Sequence, residues 1–329
     1  MKKVSAIVYH EYGNPVETVR VEERELAEPQ DGEVLVEVKA APINPADLNT
    51  IEGKYPVRPA LPAVPGIEGV GVVAAVGPGV SQLKTGSVVL LPHGLGTWRE
   101  AAVVPEKDLV ELPADVPLEQ AAMLKINPPT AWRMLHDFVT LKPGDWMIQN
   151  AANSGVGRAT IQIAGALGLR TVNIVRRPEL IDELKTEGGD VVLLEGDDLK
   201  ERVKEATGGA KILLAFNSVG GESALNLANT LANGGTLVTF GAMSKQPLRI
   251  PNGLLIFKDL RWRGFWLTRW YQNASREERD AMFASLVPLL QSGKLKTKIE
   301  KTYPLSQAKE AIARALEGKR DGKILFGMG

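Results

Sequence analysis

Apolar residues fall into two rhythms along the chain. Up to residue 126, short β-branched runs recur between glycine and proline turns. Val34-Leu35-Val36-Glu37-Val38, Val70-Gly71-Val72-Val73 and Ser87-Val88-Val89-Leu90 are separated by Asp31-Gly32, Gly77-Pro78-Gly79 and Lys84-Thr85-Gly86. This spacing predicts a small barrel-like β domain over 1–126. The proline-rich passage from Pro42 to Pro65 within it is expected to be irregular and long enough to be functional. From Asn127 the rhythm changes to apolar strand-like runs joined by segments of helical spacing. The runs are Trp146-Met147-Ile148, Thr171 to Val175, Val191 to Leu194, Ile212 to Phe216, Thr236 to Phe240 and Arg261 to Leu267. Strands joined by helices predict an α/β fold with a doubly wound parallel sheet, ligand lying at the strands' C-terminal ends. Those ends carry Asn150, Arg176, Asn217, Gly241, Phe265 and Trp266. Helices are expected over 275–292 and 305–316, with a closing strand from Lys323 to Phe326.

The sharpest local pattern runs from Asp145 to Arg177. A strand leads into the small-residue loop Ala151-Ala152-Asn153-Ser154-Gly155-Val156-Gly157, then a helix, then a second strand ending in Arg176-Arg177. Strand, glycine-bearing turn, helix, strand is the opening unit of a dinucleotide-binding fold. Small residues let the backbone approach a diphosphate, and the N–H groups of the helix start hold it. Asn153, Ser154, Gly155, Val156 and Gly157 are therefore cofactor-binding candidates, although Thr160 stands where a third glycine would complete the motif. An acidic residue after the second strand accepts the ribose 2′-OH of NAD; here two arginines stand there. Guanidinium groups pair with a 2′-phosphate, so Arg176 and Arg177 point to NADPH, the alternative being solvated surface charges.

Composition narrows the chemistry. The 329 residues carry 39 Lys plus Arg against 39 Asp plus Glu, so no net charge draws the chain to nucleic acid or a membrane surface. There is no cysteine, which excludes disulfides, thiolate catalysis and Cys-based zinc sites, and the histidines His10, His93 and His136 lie far apart. No metal is expected. No apolar run reaches the ~18 residues of a membrane span, and no leader precedes the strand-like Val4 to Tyr9. A cytoplasmic enzyme is the expectation.

A β domain, a late nucleotide-binding domain and a return of the chain resemble the medium-chain dehydrogenase/reductase superfamily. Within it the chain resembles the mitochondrial-type trans-2-enoyl-CoA (enoyl-thioester) reductases. The phrases that carry the resemblance include Gly53-Lys54-Tyr55-Pro56, Gly94-Leu95-Gly96-Thr97-Trp98 and Asn127-Pro128-Pro129-Thr130-Ala131-Trp132-Arg133. Further ones are Gln149 to Gly157, Ser218-Val219-Gly220-Gly221, Gly241-Ala242-Met243-Ser244 and Arg263-Gly264-Phe265-Trp266-Leu267. The zinc-dependent branch carries Gly-His-Glu where this chain reads Gly66-Ile67-Glu68. Without a presequence, a bacterial member is expected.

The resemblance implies a GroES-like catalytic domain over 1–126, a Rossmann-type NADPH-binding domain over 127–266 and a return over 267–329. It implies reduction of enoyl-CoA or enoyl-ACP thioesters, hydride going to Cβ and a proton to Cα. Negative charge then develops on the thioester oxygen and needs a donor. Tyr55 is that donor by resemblance; the Cα proton comes from Tyr55 or from water. Trp98 is placed along the acyl passage. Asn44 and Thr130 are placed near the nicotinamide ribose and carboxamide, and also read as a turn asparagine and a helix cap. Phe265, Trp266 and Leu267 are placed around the nicotinamide and acyl pocket, and equally read as a core or dimer-surface cluster at the sheet end; Gly241, Ala242 and Met243 are further cofactor-binding candidates. Zinc-free relatives pair through the edge of the nucleotide-binding sheet, so a homodimer is expected, with Leu248-Arg249-Ile250 as the strand-capable edge. A zinc-free quinone or alkenal reductase and a non-catalytic NADPH-binding protein are the alternatives. Prolonged chelation should leave activity unchanged; a stoichiometric metal whose removal abolishes turnover would contradict the zinc-free reading.

Overall fold

The computed structural model describes residues 2–318 and 320–329. The strands are β1 (Lys2–Tyr9), β2 (Val19–Leu26), β3 (Glu33–Pro42), β4 (Val70–Val76), β5 (Val88–Leu90), β6 (Ala101–Pro105) and β7 (Val110–Leu112). They continue with β8 (Trp146–Gln149), β9 (Arg170–Val175), β10 (Val191–Leu194), β11 (Ile212–Asn217), β12 (Thr236–Thr239) and β13 (Arg261–Gly264). Two more close the chain, β14 (Ile299–Tyr303) and β15 (Lys323–Gly327). Two compact units result: the chain up to Ile126 together with the part from Lys296, and Asn127–Leu295.

In the first unit the sheet order is β14-β15-β3-β4-β5-β7, with β6 also paired to β3. Strand β3 alternates between buried and half-buried positions, the period expected of a strand with one face on the core. Val36 of this strand joins Tyr9, Trp98 and Phe326 in the core. The returning strand β15 pairs antiparallel with the end of β3, Leu325 opposite Pro42. The proline-rich passage is not wholly irregular: Pro45–Ile51 forms a helix. Pro45 sits at its first position, where a missing N–H costs nothing, and the Asp47 carboxylate reaches back to accept from the Asn44 N–H at 2.8 Å.

The second unit holds a parallel sheet in the order β10-β9-β8-β11-β12-β13. Chain direction across the sheet reverses between β8 and β11, the doubly wound arrangement whose ligands bind beyond the strand ends at the reversal. Strands β9 and β11 are buried almost throughout, as strands covered on both faces must be. The last strand is shorter than its apolar run, because β13 stops at Gly264 and Leu267 opens the helix Leu267–Asn273.

Residues 267–295, expected with the C-terminal return, belong to this second unit. The helix Arg276–Gln291 packs on the helix Asn127–Asp137, and the Arg133 guanidinium lies 4.8 Å from the Trp270 ring centroid. Leu248-Arg249-Ile250 lies outside any strand, and the edge strand on that side is β13. No helix among the described residues is long and apolar enough to cross a membrane.

Candidate functional site

In the second unit the loop after β8 is built for close approach. Ala151 adopts a left-handed backbone (φ 46°), turning the chain sharply out of the strand. Ser154 caps the helix Gly155–Ala166, its hydroxyl oxygen accepting from the Gly157 N–H at 3.1 Å. A Cβ on residue 157 would stand 2.4 Å from the Ala152 carbonyl oxygen, so only glycine permits this turn. With the Gly157 N–H capped and the Arg158 N–H returned to the Ser154 carbonyl, the N–H groups of Gly155 and Val156 suit a phosphate. Arg158 ties this helix to Leu180–Thr186 and the residue after it through ion pairs with Glu183 (2.9 Å) and Glu187.

The strand ends at the reversal are joined by buried amides. Asn150 Nδ2 donates to Asn217 Oδ1 (2.9 Å) and Ser223 Oγ (3.0 Å), while Asn150 Oδ1 accepts from the Ser218 N–H (2.9 Å). Asn217 Oδ1 also accepts from the Val219 and Gly220 N–H groups, and its Nδ2 donates to Thr239 Oγ1. Expected as a cofactor ligand, Asn217 is fully buried and has its amide engaged within the protein, so it shapes the loop rather than presenting a polar group. Arg176 and Arg177 are the first residues past β9, Arg176 exposed and Arg177 3.5 Å from Glu179. Met243 is exposed at the loop after β12, anchored by its N–H on the Ser218 carbonyl. Gly241 and Ala242 lie on the same loop, and Gly241 packs against Ser218, which a Cβ would approach to 3.1 Å. Phe265 stacks edge-on to Phe138, Trp266 caps the helix that Leu267 begins, and Thr130 is buried in Asn127–Asp137.

In the first unit Tyr55 is half-buried just past the helix Pro45–Ile51. The Lys54 and Tyr55 N–H groups both donate to the Asn49 carbonyl, at 2.9 and 3.1 Å, which fixes the root of the ring. At the other end of that helix a buried polar cluster forms. Asn44 Nδ2 donates to Glu68 Oε1 (2.8 Å), and the Lys323 ammonium donates to Asn44 Oδ1. Asp47 accepts from the Asn44 and Ile67 N–H groups, and Glu68 accepts from the Lys125 N–H. Burial, opposed by these donors and by Lys323, pushes the carboxyls of Asp47 and Glu68 each up to about 7; burial also lowers the Lys323 ammonium. Asn44 is thus both the helix cap of the turn reading and a member of this cluster.

Trp98 corrects an expectation. It does not line an open passage: it has no exposed surface, its indole N–H donates to the Pro42 carbonyl at 3.2 Å, and its ring stacks edge-on to Phe326 with centroids 5.0 Å apart. An aromatic among glycines is here a core residue, since Gly66 and Gly96 let the loop backbone close over it; a Cβ on Gly66 would stand 2.7 Å from its ring.

Two family models match the chain, the alcohol dehydrogenase GroES-like domain over residues 30–114 and the zinc-binding dehydrogenase over 155–285. The mitochondrial enoyl-[acyl-carrier-protein] reductase of Rattus norvegicus is 46% identical over 323 residues, covering 95% of this chain and 86% of that protein. The chain belongs to the enoyl-thioester reductases of the medium-chain dehydrogenase/reductase superfamily. Etr1p, the mitochondrial 2-enoyl thioester reductase of Candida tropicalis solved with NADP and crotonyl-CoA, matches with a TM-score of 0.90 at 30% identity over 99% of this chain and 100% of that one. A putative NADPH:quinone reductase from Bacillus thuringiensis matches with a TM-score of 0.92, also at 30% identity, over 99% of each chain. Fold, and identity to these two structures, therefore do not separate the two activities; the 46% identity to the named enoyl reductase favours the thioester.

As an enoyl-thioester reductase the chain departs from the zinc named in its second family model. It has no cysteine, and among the described residues no group of three or more His, Cys, Asp or Glu is placed to hold a metal. Ile67 stands where the zinc branch has its histidine, and the neighbouring Glu68 carboxyl feels the Lys323 ammonium, which donates to Asn44. Sequence reasoning missed Lys323 and Arg158 because their partners come through the fold; Asp47 was missed although its bond to the Asn44 N–H is a local capping pattern, its second partner, the Ile67 N–H, being distant.

The cluster has a pH signature. Glu68 ordinarily titrates near 4.5, so between that value and about 7 the folded protein holds a proton the unfolded chain has lost. Stability conferred by this group is present at low pH and is lost as pH rises through the window. Glu68→Gln should flatten the fall in thermal midpoint across that range; an unchanged slope would show that Glu68 is ionised throughout.

Proposed function

We propose that this chain reduces the trans-2 double bond of enoyl thioesters, carried on CoA or acyl carrier protein, with NADPH. The observation that carries this reading is the continuity of likeness to named enoyl reductases across 95% of the chain. Its cofactor half rests on the chain's own residues. A capped helix start offers the Gly155 and Val156 N–H groups to a diphosphate, and Arg176 and Arg177 follow the neighbouring strand where a 2′-phosphate would lie. When bound, NADPH supplies the hydride that goes to Cβ.

The protein's part is to hold the substrate and stabilise charge. As the thioester oxygen gains negative charge, the Tyr55 phenol O–H donates to it, and a proton completes Cα. The ring is anchored to the helix Pro45–Ile51 through Asn49, and the opposite end of that helix is locked by the Asn44 cluster. Thr130, Gly241, Ala242, Met243, Phe265, Trp266 and Leu267 frame the nicotinamide end. The proposed active form is a homodimer in the cytoplasm, paired beside β13, where Leu255, Ile256 and Phe257 expose apolar surface. The second reading, a quinone reductase, is favoured by the likeness of fold to solved quinone reductases, the Bacillus structure among them.

Parallel assays of NADPH oxidation with crotonyl-CoA and with a quinone separate these readings. Turnover on the thioester is expected, and turnover on the quinone alone would overturn the proposal. Tyr55→Phe should keep NADPH binding and thermal midpoint while thioester turnover falls ~10²–10³-fold, the scale seen when an oxyanion donor is removed. Near-wild-type turnover would demote Tyr55 to packing. Replacing Arg176 and Arg177 together by alanine should raise KM for NADPH about tenfold or more, with little change for NADH, since one charge-assisted contact is worth ~1.5–3 kcal/mol. Equal weakening for both cofactors would remove the arginines from 2′-phosphate recognition.

A further inference from the structure

Asn127 opens the helix Asn127–Asp137 and is only 8% exposed. Its Nδ2 is buried and has no hydrogen-bond partner among the described residues. A buried amide donor without an acceptor is costly, and in a native fold each such group calls for an explanation. The side chain's surroundings supply one. Its Nδ2 lies 2.7 Å from where a Cβ on Gly155 would stand, so the amide lies against the first residue of the helix Gly155–Ala166. Gly155 has no left-handed backbone to demand glycine. Space demands it, and the Asn127 amide fills that space. Pro128 and Pro129 follow directly, and their fixed φ angles hold the amide in place.

We infer that Asn127 is a cofactor-positioning residue whose carboxamide N–H donates to a diphosphate oxygen of NADPH at the start of the Gly155–Ala166 helix. The inference rests on the NADPH reading above. It adds a neutral donor to the Gly155 and Val156 N–H groups and explains why a buried amide and a glycine face each other there.

The test is equilibrium binding to the full chain with three probes: NADPH, 2′-phospho-ADP-ribose, which keeps the diphosphate, and 2′,5′-ADP, which lacks it. Asn127→Ala should weaken the first two by about tenfold, a neutral hydrogen bond's loss to within a few-fold, and leave 2′,5′-ADP nearly unchanged. Asn127→Asp should weaken them further, through a carboxylate beside phosphate. The cofactor-free thermal midpoint of Asn127→Ala should hold or rise, because an unsatisfied donor is gone, while the upward shift on adding NADPH shrinks. A lowered cofactor-free midpoint with equal weakening of all three probes would make Asn127 structural and overturn the inference, as would unchanged NADPH affinity. Gly155→Ala supplies the second variant, since its Cβ displaces the amide and should reproduce the selective loss. Failure of the wild-type chain to bind NADPH would instead sink the cofactor reading itself.

Discussion

Two carboxylates with essentially no exposed surface, Asp47 and Glu68, tie together parts of the first unit that are distant in sequence. An ionisable group taken out of water must find donors or stay protonated, and the fold provides both remedies. Backbone N–H groups come from Asn44, Ile67 and Lys125, a side-chain amide from Asn44, and a cation from Lys323. Each partner belongs to a different stretch, so meeting the demand of two acids fixes a helix, a loop, the exit to the second unit and the closing strand together. Tyr55 inherits that rigidity, because its root is bonded to the last turn of the same helix.

The second unit solves a different problem, that of keeping a loop tight enough for backbone to meet an anion. Steric exclusion at Gly157 and the Ser154 cap define the turn, and the Asn150–Asn217 pair locks the adjacent strand ends. Gln149 adds a buried bridge, donating to the Gly157 carbonyl at 2.9 Å and to Asn173 Oδ1 at 2.8 Å. Fully satisfied buried amides of this kind specify one arrangement rather than several.

The strand–loop–helix–strand unit from Asp145 to Arg177 was legible in the sequence because its determinants are local: apolar runs, a capping serine, small residues and terminal arginines. The parallel, doubly wound character of the sheet followed from alternation of strand and helix, whereas its strand order is set by pairings that alternation does not encode. What stayed hidden depends on distant partners. Asn217 sat correctly at a strand end, yet nothing local says that its amide would be used by Asn150, Val219, Gly220 and Thr239. Trp98 among glycines looked like a pocket residue because a linear pattern does not show which backbone folds over a ring. The helix Pro45–Ile51 was masked by flanking prolines, although Asn-Pro with an acid at the third position is a helix start. That 267–295 belongs with the second unit shows in tertiary contacts no periodicity encodes, the helix Arg276–Gln291 on Asn127–Asp137 and Arg133 against Trp270 among them.

The place of Lys323 in the chain also bears on how the protein is made. The acids it neutralises are translated early and the lysine near the end, 279 residues after Asn44. The whole second unit is synthesised between them. A ribosome therefore releases the nucleotide-binding unit, whose segment is continuous, before the first unit has either its counter-ion or the strand β15 that carries it. Domains fold as units, and an interrupted one waits for its last piece. The unit begun first is thus finished last, around a charge that arrives with the strand β15.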